Sequence, residues 1–296
     1  MTLGVSSCSF NRLIHSGQIT QFDTVGIAAE MGFSFIEFTV LEMPEGEDKL
    51  SYARRLREAC DLAGIAVGNY TIGADFLNGS DGDLEAEVRR LHAEVDTAVV
   101  LGASGMRHDV SSGWRNDTKA SRLSAAPAEN FTTVLPRLAR GCRMVTEYAA
   151  EKGIRTMSEN HGYFAQDSIR IESLIQAVNH PNYGALIDIG NFLCADEPPA
   201  LAVTRLAPYA FHVHVKDFLY KSAQDTDPGE GWFKTRSLNR LRGAIIGHGV
   251  VPVKQCLQIM KQAGYTGSVA IEFEGMEDPM LGVRIGYQNL KAYLAD

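Results

Sequence analysis

Four short apolar runs in the second half of the chain each end in a side chain that can bind a metal. They are Thr156-Met157-Ser158-Glu159, Ala185-Leu186-Ile187-Asp188, Phe211-His212-Val213-His214 and Val269-Ala270-Ile271-Glu272. Three carboxylates and one imidazole make a largely hard, oxygen-rich donor set. It suits one divalent cation, Mn²⁺ first, with Mg²⁺, Co²⁺ or Zn²⁺ as alternatives. A cation chelated by a substrate carbonyl and its neighbouring hydroxyl acidifies the carbon-bound hydrogen and stabilises the enediolate that forms when it leaves. A carboxylate on each side can then remove a proton and return it.

That chemistry requires the four ends to meet. Each run has the length and the β-branched or aromatic content of a buried strand. Taken singly, a carboxylate at a strand end is as well explained by an ion pair or a helix cap, whereas four in order point to one site. The spacing predicts alternating strands and helices throughout. Leu3 to Phe10 reads as a short strand-like opening, and a helical stripe through Ile19, Phe22, Val25 and Ala29 ends at Gly32. A strand from Phe33 to Phe38 is followed by the stripe Leu50, Ala53, Leu56, Cys60 and Ala63, stopped by Gly64. The third round runs from Ile65 to a helix that starts near Asp83 and closes at Gly102. The fourth ends its strand at Arg107-His108-Asp109, and a loop rich in Ser and Ala leads to the helix at Phe131 to Ala149. Strands to Glu159, Asp188, His214 and Glu272 then alternate with helices at Ile171 to Val178, Ala200 to Leu206 and Val253 to Ala263. A final helix ends near Leu294. Eight such rounds predict a single (β/α)₈ barrel domain over residues 1–296, with a long loop at about 218–249 near the active-site face. A doubly wound open sheet is the competing architecture, but neither a Gly-x-Gly-x-x-Gly turn nor a phosphate loop supports it. In a barrel the parallel strands deliver their C-terminal ends to one face, so Glu159, Asp188, His214 and Glu272 surround one point.

Composition narrows the partners. A formal net charge of -8 disfavours a broad surface for nucleic acid or anionic membrane. A small molecule is therefore the expected ligand. Five scattered cysteines without a Cys-x-x-Cys pair suggest buried free thiols. The start of the chain lacks a signal-peptide pattern and no apolar run approaches the roughly 18 residues of a membrane span, so a cytoplasmic location is expected.

The residue context adds a resemblance. Glu159-Asn160-His161-Gly162, Leu186-Ile187-Asp188-Ile189-Gly190-Asn191, His212-Val213-His214-Val215-Lys216-Asp217 and Ile271-Glu272-Phe273-Glu274 together resemble the xylose isomerase-like barrels, the sugar phosphate isomerase and epimerase group that includes ketose 3-epimerases and inosose isomerases. Gly247-His248-Gly249 and Met31-Gly32-Phe33 extend the resemblance over most of the chain. It implies that Glu159, Asp188, His214 and Glu272 are the metal ligands and that Glu159 and Glu272 are also the paired acid/base carboxylates. The implied function is isomerisation or epimerisation of a sugar, sugar acid or cyclitol. The alternative within the same family is a lyase or dehydratase acting on a keto-sugar, 3-keto glycoside or inosose by β-elimination. A homo-oligomer is expected from family habit alone. Asn191 departs from the ketose 3-epimerases, which carry a substrate-contacting histidine there. Phosphodiester cleavage of the endonuclease IV kind would need more histidine ligands, and a sugar-binding barrel without activity would not need an intact ligand set.

Further candidates for substrate contact are Lys216, Asn191, Arg107, His108, His161, His212 and Glu37. Lys216 follows a ligand strand directly and could polarise a substrate oxygen, or simply pair with Asp217. His212 shares a face with His214 in a regular strand. Arg107 could equally form an ion pair with Asp109, and Glu37 could bind substrate or orient an arginine. Glu274 is expected to serve a partner cation, while Trp232 and Phe233 could form an apolar lid or pack the long loop.

Overall fold

The computed structural model describes residues 1–113 and 128–295. Eight parallel strands close into a barrel in the order β1-β11-β7-β6-β5-β4-β3-β2. These are β1 (Thr2–Ser6), β2 (Phe35–Phe38), β3 (Ala66–Ile72), β4 (Gly105–His108), β5 (Arg155–Glu159), β6 (Tyr183–Asp188), β7 (Ala210–Val215) and β11 (Ser268–Ile271). The chain thus has the expected (β/α)₈ architecture. The predicted loop rich in Ser and Ala lies outside the described residues.

Helices pack between successive strands where the apolar stripes place them: α1 (Asn11–His15), α2 (Asp23–Met31), α3 (Lys49–Ala63), α4 (Leu84–Leu101), α5 (Ala128–Glu151), α6 (Ser168–Val178), α7 (Pro199–Leu206), α8 (Val253–Gln262) and α9 (Pro279–Ala295). Their ends follow local chemistry. Asp48, Asp83 and Asp167 accept the backbone N–H of Ser51, Ala86 and Arg170 at the starts of α3, α4 and α6. Gly64 and Gly102 take left-handed conformations at the C-termini of α3 and α4, where a side chain would be strained. Leu56, Leu91, Leu138, Ile171 and Val203 are completely buried between helices and strands.

Two stretches differ from expectation. The opening strand stops at Ser6, and Ser7–Phe10 form a 3₁₀ turn that brings Cys8 and Ser9 over the barrel mouth. The segment expected as a long loop over about 218–249 carries a small antiparallel sheet, β8 (Asp217–Lys221), β10 (Arg240–Ala244) and β9 (Phe233–Lys234), ordered β8-β10-β9. Its root is the Asp217 carboxylate, which accepts the N–H groups of Phe218, Gly247, Gly249 and Val251 at 2.8–3.0 Å. Its far end is tied to the β5 and β6 loops by Thr235 on Asp196 (2.7 Å), Arg236 on Asp167 (2.8 Å) and the Tyr163 hydroxyl on the Lys234 carbonyl (2.8 Å). Phe233 packs edge-on to Phe218 and Arg242 lies over the Trp232 ring, so the aromatic pair holds this sheet in place.

Candidate metal centre

Glu159 closes β5, Asp188 closes β6, His214 is the penultimate residue of β7 and Glu272 follows β11 directly. These four strands are consecutive neighbours in the barrel, and Asp188 and His214 are register partners. Glu159 pairs with Leu186 and His214 with Ala270, each two residues before the next ligand, so parallel pairing brings the four side chains to the same end of the barrel. One donor atom from each lies within 4.8 Å of the other three. Asp188 and His214 are fully buried, Glu159 and Glu272 nearly so.

The cluster fits a divalent cation. Asp188 spends Oδ1 on the backbone N–H groups of Gly190 (2.8 Å) and Asn191 (2.9 Å), while its buried Oδ2 accepts no hydrogen bond and has only the Lys216 ammonium, 3.2 Å away, against its charge. His214 Nδ1, 3.5 Å from Glu272 Oε1, also lacks a hydrogen-bond partner. Buried donor atoms left in this condition are costly unless a cation satisfies them. Burial pushes the Asp188 carboxyl upward, and the neighbouring Glu159 and Glu272 add to it against the pull of Lys216. Burial also opposes ionisation of Glu272, but Lys216 and His214 outweigh it and hold that carboxyl well below its ordinary range. Three crowded carboxylates are the environment in which a doubly charged ion relieves repulsion.

A ring of polar side chains fixes the carboxylates. Arg107 Nη2 lies 2.7 Å from Glu159 Oε2 and 3.0 Å from Asp109 Oδ1, and Asn191 Nδ2 donates to Glu159 Oε1 at 2.9 Å. Both oxygens of Glu159 are thus held. Lys216 Nζ stands 2.5 Å from Glu272 Oε2, 3.2 Å from Asp188 Oδ2 and 3.3 Å from Glu274 Oε1. The cation that Glu274 serves is Lys216, and the alternative pairing of Lys216 with Asp217 does not occur, because Asp217 is turned to backbone N–H groups. His161, half-exposed, contacts Asp109 at 3.1 Å. Beside it opens a cleft of about 670 Å³ lined by Asp75, Arg90, Asp109, Ser111, Ser112 and Tyr163, among others.

Three candidates sit elsewhere. His108 alternates with Arg107 on β4 and packs between Phe76 and Tyr183, with Nδ1 2.8 Å from the Asp109 carbonyl oxygen. Burial pushes its imidazole down to about 4. Glu37 and His212 lie inside the barrel beneath His214, 0 % and 2 % exposed. Burial opposes ionisation of Glu37, yet the His214 and His212 rings hold its carboxyl down at about 2. Two contributors had escaped notice. The Asn160 amide donates to the Asp188 carbonyl and accepts the Asp188 N–H, both at 2.9 Å, locking that strand end. Cys8 donates its thiol to Glu272 Oε1 at 3.2 Å. Asn160 stood next to a ligand in sequence and Cys8 beyond a strand end, so position on the barrel face was the available signal for both.

A sequence model of the xylose isomerase-like TIM barrel matches residues 25–293. The chain belongs to that family. Among curated members, L-ribulose-5-phosphate 3-epimerase UlaE of Escherichia coli O139:H28 (strain E24377A / ETEC) is 26% identical over 280 residues, spanning 91% of this chain and 88% of the relative. Among solved structures of like fold, D-psicose 3-epimerase with D-tagatose from Clostridium cellulolyticum H10 superposes with a TM-score of 0.73 at 13% identity, over 99% of both chains. The probable 3-DHS dehydratase AsbF from Bacillus anthracis does so with a TM-score of 0.68 at 17% identity, over 98% of this chain and 99% of that one. The family fold thus accompanies both epimerase and dehydratase names.

Proposed function

We propose that the protein is a divalent-metal-dependent carbohydrate epimerase or isomerase that works by proton transfer through an enediolate, with Glu159 and Glu272 as the acid/base pair. The observation that carries this reading is the convergence of Glu159, Asp188, His214 and Glu272 donor atoms within 4.8 Å at the barrel mouth. Glu159, Asp188, His214 and Glu272 would hold the cation, Mn²⁺ in our reading. When bound it supplies the positive charge against which an enediolate is stabilised.

The protein's own groups do the rest. Glu159 and Glu272 stand on strands separated by β6 and β7, so they flank a substrate from two sides. One removes a proton from carbon and the other returns it to the opposite face. Arg107 and Asn191 hold both oxygens of Glu159 in place. Lys216 and Cys8 do the same for Glu272. Preorganised carboxylates need no reorientation as charge develops. Lys216 and Arg107 add two buried positive charges beside the reacting carbons, Asn191 and the half-exposed His161 offer hydrogen bonds to substrate hydroxyls, and the cleft beyond His161 takes the remainder of the molecule. A sugar-phosphate ketose of the kind named for the E. coli relative is the first substrate to try. The net charge of -8 speaks against nucleic acid. Among the described residues no helix is long and apolar enough to cross a membrane, and the five free cysteines suit the reducing cytoplasm in which we place it.

The test is exchange of a carbon-bound substrate hydrogen with deuterated water. The metal-loaded protein incorporates deuterium, whereas Glu159→Gln and Glu272→Gln each abolish it; full exchange in either variant overturns the acid/base assignment. The presence of Lys216 and Arg107 in the same site favours one second reading, β-elimination from a keto-sugar or inosose with a cationic side chain assisting the departing oxygen. Product mass separates the two, since epimerisation conserves it and elimination does not.

A further inference from the structure

Below the four ligands lie two ionisable side chains that proton transfer does not use, Glu37 and His212, and both pack against the ligand His214. Glu37 on β2 and His212 and His214 on β7 are 0, 2 and 0 % exposed. Glu37 Oε1 is 2.5 Å from His214 Nε2 and Glu37 Oε2 is 3.0 Å from His212 Nε2. The other nitrogen of His214, Nδ1, faces Glu272 and the ligand cluster. Its two ring nitrogens therefore have different partners.

An imidazole that ligates through one nitrogen keeps its proton on the other, and the group that receives that proton fixes both the tautomer and the ring orientation. For His214 that group is a carboxylate. The carboxylate is itself immobilised. A Cβ at Gly68 would stand 2.6 Å from the Phe35 ring and 3.3 Å from Glu37 Cβ, so glycine at this place on β3 leaves room first for Phe35, the ring that packs on His212, and then for Glu37. His212 is held in turn by the Phe35 ring, edge-on at 5.9 Å, and by His214 at 5.3 Å.

Resting on the metal centre described above, we propose that Glu37 and His212 are positioning residues for it. Glu37 holds His214 in the tautomer that offers Nδ1 to the cation. His212 engages the second carboxylate oxygen and prevents Glu37 from turning away. The same three side chains do not form a second metal site, because two donors at about 2.0–2.2 Å from one ion lie roughly 3 Å or more apart, whereas Glu37 Oε1 and His214 Nε2 are 2.5 Å apart. That separation is the close approach of a carboxylate to an imidazole nitrogen.

The experiment is Mn²⁺ titration calorimetry on the full chain for the wild type, Glu37→Gln and His212→Gln, with circular dichroism of each apo form. It is joined by ¹⁵N spectra of the Zn²⁺-loaded wild type to read the His214 tautomer. The proposal expects one site per chain and affinity about 10- to 100-fold weaker in Glu37→Gln, with a smaller loss in His212→Gln and unaltered dichroism. It also expects His214 protonated at Nε2 and bound through Nδ1. Undiminished affinity in a folded Glu37→Gln, two cations per chain, or His214 bound through Nε2 each overturns it while leaving the metal centre intact. Should Glu37→Gln not fold, His212→Gln and the wild-type tautomer decide. No cation binding by the wild type overturns the metal centre itself.

Discussion

Lys216→Met gives a prediction with two opposite signs. The Lys216 ammonium stands 2.5 Å from Glu272 Oε2 and 3.2 Å from Asp188 Oδ2, with all three groups buried. Its third contact, with half-exposed Glu274, contributes little because solvent screens it. Methionine fills similar space without charge, leaving two buried carboxylates deprived of their cation. Removing one partner of a buried ion pair costs about 3–5 kcal/mol. For a chain of this size that lowers the melting temperature of the metal-free protein by roughly 5–8 °C. The same substitution removes a positive charge from beside the divalent cation. At a separation of about 5 Å and an effective dielectric of about 20, single and double charges repel by about 7 kcal/mol, an upper bound large enough to offset the first loss. Calorimetric melts with chelator and then with excess Mn²⁺ test both signs. The variant melts lower than wild type without metal and gains more than wild type from Mn²⁺. A metal-free melting temperature within about 1 °C of wild type, or an equal gain from Mn²⁺, refutes the reasoning.

Asn160→Ala frees the β6 end that presents Asp188, and Mn²⁺ affinity measured by calorimetry falls about 10-fold or more; unchanged affinity counts against the clamp. Burial opposes ionisation of Asp75, but hydrogen bonds from Asn78, Ser112 and Ser111 hold its carboxyl below the usual range. The folded value thus lies below the unfolded value of about 3.9, so its stabilisation is complete at neutral pH and is lost as pH falls through the folded value. In urea melts Asp75→Asn is less stable than wild type at pH 7, and the gap narrows as pH falls below about 4; a gap constant across that range refutes it. A Cβ on Gly243 would lie 2.2 Å from the Glu274 carbonyl oxygen and 2.4 Å from its carbon. Because the obstacle is backbone, Gly243→Ala lowers stability by about 1–3 kcal/mol, read by urea unfolding, and an unshifted midpoint contradicts the close approach.

The barrel was legible because its signals are local. The stripe from Leu50 to Ala63 bounded by Gly64, and the helix from Asp83 to Gly102, carry their caps in the sequence, and the structure places α3 and α4 within a residue of those limits. The four metal-binding ends were legible because a parallel barrel turns strand ends into neighbours. The sheet between Asp217 and Ala244 was not. Phe218 is buried but Tyr220 and Phe233 are exposed, and these strands are short. Much of their anchoring comes from side chains distant in sequence, such as Asp196 and Asp167. The inner and outer faces at the strand ends were also hidden. His108 and Arg107 are adjacent polar residues, yet one packs on Tyr183 and the other reaches Glu159. Period-two alternation separates them, but only barrel register says which one faces inward.

The central claim is proton transfer at carbon between Glu159 and Glu272 in the presence of one divalent cation. Its most direct measurement is mass spectrometry of a ketose, beginning with L-ribulose 5-phosphate, after incubation with Mn²⁺-loaded protein in deuterated water. The product carries one deuteron on the carbon next to the carbonyl, incorporation depends on the cation, and both Glu159→Gln and Glu272→Gln lose it. Conversion to product with the original hydrogen fully retained, or incorporation at wild-type rate in either variant, contradicts the claim.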